Sequence, residues 1–137
     1  MRIHHRDYLT YDLPEKWCAE EMDDSIVIYD PRGKGAMTVS FFSVTEEKQM
    51  LENRVCVMAK SFLEQNRIKT DGSLIVSRSD SGKITLYGTG VTPENGFVKL
   101  WITAQYPRVV LATYNSRKKS REVKKFDTLV DSMEFQV

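Results

Sequence analysis

The sequence predicts an α+β fold, an antiparallel β-sheet flanked by helices. Three observations carry it. Apolar residues alternate with period two over much of the chain, they switch to helical spacing in two places, and the connectors between the later strands are short. The 137 residues suit a single domain filling 1–137. No repeat, low-complexity tract or linker interrupts them.

Tyr8–Leu13 alternates Leu9, Tyr11 and Leu13 against Thr10 and Asp12, the pattern of a first strand. Pro14 and Trp17 mark a turn, Cys18–Met22 reads as a short strand, and Ile26–Tyr29 is rich in β-branched residues. Asp30-Pro-Arg-Gly-Lys-Gly35 is dense in turn formers and joins Ile26–Tyr29 to Ala36–Phe42 as a hairpin. Leu51, Val55, Met58 and Phe62 then recur at helical spacing, which predicts a helix over Glu46–Asn66 with Ser43 or Thr45 as its cap. Leu74–Arg78, Ile84–Val91, Phe97–Tyr106 and Arg108–Asn115 follow as strands of a meander, joined by Ser79–Gly82, Pro93-Glu-Asn-Gly96 and Pro107. Val123, Phe126, Leu129, Val130 and Met133 stripe a second helix, Arg121–Ser132, with Ser116 and Ser120 competing as its cap. Phe135 and Val137 end the chain in a short strand.

With 41% hydrophobic and 28% charged residues the chain is neither disordered nor spanning a membrane through a long apolar run. Met1–Asp7 is polar and lacks the apolar stretch of a secretory signal, which predicts a cytoplasmic protein, although a form trimmed of its leader would read the same. Cys18 and Cys56 read as reduced, buried thiols. A net charge of +1 points to no nucleic-acid partner.

Chemistry is sparse. The only histidines, His4 and His5, sit at what reads as a mobile end, so neither a metal site nor a histidine base is expected. Gly88-Thr-Gly90 opens like a dinucleotide fingerprint, but Pro93 stands at the third glycine and a strand follows. Gly33-Lys34-Gly35 lacks the serine or threonine and the upstream glycine of a phosphate-binding loop. Asp23, Asp24 and Asp30 read as solvated turn residues. No catalytic residue, metal or cofactor is predicted.

Charge distribution carries more. Arg117–Lys125 holds six cations and only Glu122, a local charge of +5, so the remainder carries −4. Asp12–Asp30 holds seven acids against Lys16. The candidate partner-binding residues are therefore Arg117, Lys118, Lys119, Arg121, Lys124 and Lys125, cations at a helix start where they oppose the dipole. The bland alternative is a solvated face, and a third is that the basic segment meets the acidic one, within one chain or between two copies. A second candidate surface is Trp101 with Lys99 and Tyr87, on the more polar face of Phe97–Tyr106, unless the long helix covers it.

The opening YDLPEKW (Tyr11–Trp17), the strand–turn–strand IYDPRGKGAMTVSF (Ile28–Phe41), the terminal FDTLVDSMEF (Phe126–Phe135) and the order of elements resemble the PsbP-like (Mog-type) α/β/α sandwich. Known members of that fold include an extrinsic photosystem subunit, a nuclear-import factor that binds a small GTPase, and bacterial chaperones that hold secreted effectors; many bacterial members have no known function. The resemblance implies a non-enzymatic protein-interaction module with a protein partner, such as a bacterial chaperone or immunity-type protein, with a homodimer as one form of partnership. It carries over no site residue, and a fold alone does not transfer a function. The competing expectation is a small-molecule or acidic-ligand binding domain.

Overall fold

Strand β9 (Phe97–Gln105) is buried along its length except at Lys99 and Gln105, so its two faces must both be covered. The computed structural model, which describes residues 1–136, shows how. β9 lies between β8 (Ile84–Val91) and β10 (Arg108–Ser116), antiparallel to both. The ladder continues from β10 to β5 (Ala36–Ser43), β4 (Ser25–Tyr29) and the edge strand β3 (Cys18–Glu21). On the other side, β6 (Lys69–Thr70) and β7 (Ile75–Arg78) pair with different halves of β8 and complete an eight-stranded sheet. A second, three-stranded sheet contains β1 (Arg2–His5), β2 (Leu9–Asp12) and β11 (Glu134–Phe135) in the order β1-β2-β11.

Residues directly opposite in an antiparallel ladder share a face, and successive residues alternate. One face of the large sheet therefore presents Leu86, Leu100, Ile102, Ala104 and Val109. Helix α1 (Leu51–Gln65) packs Leu51, Val55 and Ala59 onto them. The other face presents Met37, Val39, Trp101, Val110 and Tyr114. Helix α2 (Val123–Asp131) covers it with Phe126, Leu129 and Val130, beside Leu9, Tyr11 and Phe135 of the small sheet. Phe126 sits between Trp17 and Tyr114, ring centroids 4.7 and 4.8 Å away. Two apolar clusters on opposite faces of one sheet make a three-layered α/β/α sandwich, and the α+β reading holds.

Several local expectations change. β1 replaces the mobile end: Arg2–His5 pairs with Leu9–Asp12, and Arg2 joins Asp12 at 2.9 Å and Glu134 at 3.1 Å. His5 is buried, stacked on Phe41 with centroids 4.4 Å apart, and its Nδ1 lies 2.7 Å from Glu21 Oε1. α1 starts later than its periodicity suggests, behind a 3-10 turn over Lys48–Met50, and no side chain caps it. Ser43 remains in β5 instead. α2 likewise lacks a side-chain cap, Ser116 donating its hydroxyl to the Lys118 carbonyl. Its far end is met by Lys83, whose Nζ donates to the Met133 carbonyl at 2.6 Å, while burial pushes the ammonium pKa down. Phe135 is in β11, and Val137 lies outside the described residues. Cys18 and Cys56 are unpaired but half-buried rather than buried.

Gly88 and Gly90 have a packing reason. A Cβ on Gly88 would stand 2.5 Å from Leu74 Cδ2, and one on Gly90 2.6 Å from the Lys69 carbonyl oxygen. These glycines let the edge segment cross β8 closely; a strand, not a helix start, follows them.

Tyr11 is fully buried, and burial with help from the Glu21 carboxylate pushes its hydroxyl up to about 12 from 10.0. The folded protein thus holds a proton that the unfolded chain releases near pH 10. This contribution is complete below pH 10 and is lost as pH climbs through about 12. Tyr11→Phe should reduce the alkaline loss of stability by about 1.4 kcal/mol per pH unit across that window. Urea unfolding of both proteins at stepped alkaline pH reads the two slopes.

Candidate functional site

The registers bring one end of the large sheet together. Asn115 on β10 stands opposite Val98 on β9 and Ala36 on β5, and Gly90 on β8 stands opposite Val98. The β4–β5 turn, the β8–β9 turn and the β10–α2 connection therefore leave the sheet side by side. Between them lies an open cleft of about 1140 Å³, lined by Lys34, by Thr92 and Glu94–Gly96, and by Asn115–Ser120.

Each wall has a local cause. The β8–β9 turn closes through Thr92: its N–H donates to the Gly96 carbonyl and its Oγ1 accepts the Gly96 N–H, both at 2.9 Å. Asn95, with φ 65°, takes the left-handed conformation that asparagine tolerates. In the β4–β5 turn Asp30 Oδ1 accepts the Arg32 N–H at 3.0 Å, and the Gly33 N–H returns to the Asp30 carbonyl at 2.7 Å. Asp30 is thus folded into its own turn rather than solvated.

The turn is held to the helix start by Glu122. Its Oε2 accepts the N–H groups of Lys34 at 3.0 Å and Gly35 at 3.1 Å, and the Tyr114 hydroxyl at 2.6 Å. Its Oε1 is buried without a partner, against Gly33, where a Cβ would come within 1.9 Å. Gly35 is as tightly placed: a Cβ there would stand 2.2 Å from the Asn115 carbonyl oxygen. Burial, then the bond to Glu122, raise the Tyr114 pKa, so the hydroxyl stays a donor. Glycines in Gly33-Lys34-Gly35 thus admit a carboxylate from the same chain.

The two predicted site groups fare differently. Arg117, Lys118 and Lys119 line the cleft, and Arg121 and Lys125 line a smaller adjoining hollow. Lys124 is exposed outside both. All six are exposed, and among the described residues none forms an ion pair. Because α2 begins at Val123, only Lys124 and Lys125 stand in its first turn; the rest precede the helix and oppose its dipole less than expected.

Tyr87, Lys99 and Trp101 do meet, but not as a surface. Trp101 is 3% exposed, covered by α2 rather than by the long helix. Its Nε1 donates to Asp127 Oδ1 at 2.9 Å, which also receives Lys99 Nζ at 2.7 Å. Lys99 Nζ stands 5.2 Å from both the Tyr87 and Trp101 ring centroids. This cluster fastens α2 to β9, since the polar face of β9 is the one α2 packs on.

The acidic segment is used elsewhere. Asp12 pairs with Arg2, Glu20 accepts the Tyr29 hydroxyl at 2.7 Å, and Glu21 faces His5. Asp23 and Asp24 lie beyond Ser25, whose register partner is Ser40, at the other end of the sheet from the cleft. Within one chain, then, the basic connection meets the acidic segment only at Asp30, which lines the smaller hollow with Arg121 and Lys125. Among the described residues no cluster of three or more His, Cys, Asp or Glu side chains is placed to hold a metal ion, and no helix is long and apolar enough to cross a membrane.

Lys34 and Glu122 were missed as site residues. The signals were a lysine between two glycines and a lone acid in a basic run. Neither shows that residues 88 positions apart touch.

The solution structure of cyanobacterial PsbP (CyanoP) from Synechocystis sp. PCC 6803 superposes with a TM-score of 0.71, covering 98% of this chain and 91% of that one at 12% identity. The fold is PsbP-like. A crystal structure from Bacteroides thetaiotaomicron matches with a TM-score of 0.54 at 16% identity; it covers 94% of this chain but 45% of the other, so this PsbP-like domain spans under half of that chain. No family model matches the sequence, and no curated protein does. At these identities the likeness concerns architecture, and the cleft of this PsbP-like domain has to be argued from its own residues.

The tether is open to test. Glu122→Ala leaves the N–H groups of Lys34 and Gly35 without their acceptor and should destabilise the protein by about 1–3 kcal/mol. Gly35→Ala forces the turn away from Asn115 and should cost about 1–3 kcal/mol, as overpacking does. Urea midpoints at constant slope give both values.

Proposed function

We propose that this chain is a non-enzymatic protein-interaction module whose basic cleft docks an acidic segment of a partner protein. One observation carries the reading: Lys34, Arg117, Lys118 and Lys119 converge from separate loops on an open cleft whose only acidic lining residue is Glu94. Like charges within a Debye length, about 8 Å at physiological salt, repel one another, and a bound polyanion relieves that repulsion. A bound acidic segment therefore gains from the positive potential gathered there.

The shape favours a macromolecule over a small ligand. Small-molecule sites usually enclose about 300–1,000 Å³ and bury most of the ligand. This cleft is larger and lies open to solvent along the loops. Catalysis has little support, because apart from the exposed Glu94 the carboxylates beside the cations serve structure: Glu122 holds the β4–β5 turn and Asp30 its own turn. A chaperone or immunity-type role fits within this reading, since either holds a partner through such a face.

Reversing Lys118 and Lys119 together to glutamate should weaken binding of a fluorescent Asp/Glu-rich peptide by about tenfold or more, two charge reversals at about 1 kcal/mol each. The melting temperature should stay nearly constant, because both side chains are exposed. Anisotropy titrations at low and high salt make the measurement, and affinity should fall as salt rises. An affinity unchanged in the mutant overturns the basic-cleft reading. Free glutamate or inorganic phosphate binding as tightly as the peptide would instead favour a small acidic ligand.

A further inference from the structure

Lys34 belongs to two cavities. It lines the cleft with Arg117, Lys118 and Lys119, and it also lines a second hollow of about 260 Å³ with Arg32, Arg121 and Lys125. Ser120 is the other residue common to both, so the hollows adjoin along the line from Lys34 to Ser120. The second hollow includes two carboxylates, Asp30 and Glu122, and both already have donors. Asp30 accepts the Arg32 N–H, and Glu122 accepts the Lys34 and Gly35 N–H groups and the Tyr114 hydroxyl. Arg121 and Lys125 are exposed and, among the described residues, form no ion pair.

We infer that the two hollows form one bipartite track for an extended segment of a partner protein that carries two acidic clusters, with Lys34 contacting the stretch between them. The inference rests on the docking of an acidic segment proposed for the cleft and specifies how such a segment is read. The cations fall into two sets on either side of a turn that Glu122 pins to the start of α2. That pinning keeps the Lys34 backbone in place whether or not a ligand is bound. A ligand bound at one set presents its second cluster to the other at high effective concentration, so two clusters bind more tightly than the same clusters on separate peptides.

Two peptides test this. One carries a single acidic triplet. The other carries two triplets separated by about three neutral residues, roughly 10 Å of extended chain. The wild-type protein should bind the two-triplet peptide about tenfold or more tightly, well beyond the roughly twofold statistical gain of a doubled epitope. Arg121→Glu with Lys125→Glu should bring the two-triplet peptide close to the single-triplet affinity and leave the single triplet nearly unchanged. Arg121→Ala with Lys125→Ala should do the same in milder form, with urea midpoints confirming that both variants fold. Lys118→Glu with Lys119→Glu should weaken both peptides. A gain of only about twofold in the wild type, or equal weakening of both peptides by the Arg121/Lys125 variants, overturns the bipartite track and leaves the single-cleft reading standing. Failure of both peptides to bind the wild type removes the cleft reading, and the track with it.

Discussion

The Glu122 carboxylate is the contact on which the arrangement of the cleft depends. It reaches from the start of α2 to Tyr114 on the preceding strand β10 and to the β4–β5 turn, which lies far away in sequence. Hydrogen bonds to an ionised acceptor are roughly twice as strong as neutral ones. The position of α2 is in turn set by burial: Phe126 between Trp17 and Tyr114, and Asp127 against Trp101 and Lys99. Docking the helix on the polar face of β9 therefore fixes Glu122, and Glu122 fixes the turn that carries Lys34.

Charge is sorted along the strands as well as among the loops. Away from the cleft, acids have local neighbours: Glu21 lies beside His5, Asp12 pairs with Arg2, and on the outer strands Glu20 accepts the Tyr29 hydroxyl. At the cleft end Glu122 is consumed by backbone and tyrosine donors, and Asp30 by the Arg32 N–H with the Arg32 guanidinium 4.0 Å away. Around the cleft cations these two acids are engaged, which leaves Glu94 as the one exposed acid in the cleft lining. A near-zero net charge hides this separation, which is a property of contacts rather than of composition.

Much of the architecture was legible because the apolar periods are clean. Both helices, the β7-to-β10 meander and the sheet-and-helix layering follow from alternation and helical stripes. β1 was not legible, since Arg2–His5 offers only Ile3 as an apolar residue and is held by ion pairs and by the stacked His5 ring. β6 was too short to show a period. Trp101 was read on the correct face of β9, but which helix covers that face depends on chain path, which spacing does not encode. For the site, the basic run was visible and its convergence was not. Lys34 comes from a turn whose glycines look like ordinary hairpin residues, and their close approach to Glu122 and Asn115 exists only in three dimensions.

Those glycines also explain why the cleft is tied to the fold rather than carried on independent loops. A side chain at Gly33 or Gly35 would fill the space that Glu122 Oε1 and the Asn115 carbonyl occupy. At Gly96 a Cβ would come within 3.2 Å of the Ser116 carbonyl oxygen, so the β8–β9 turn presses on the same stretch of β10 from the other side. The end of β10 is thereby held between two turns, and the basic connection leaves it in a defined direction. The backbone that carries these cations is held before a ligand arrives, so less backbone ordering entropy is lost on binding than with a flexible basic tail. A solvated, solubilising face would need no such support, because long exposed side chains stay hydrated without backbones packed to within a methyl group of one another.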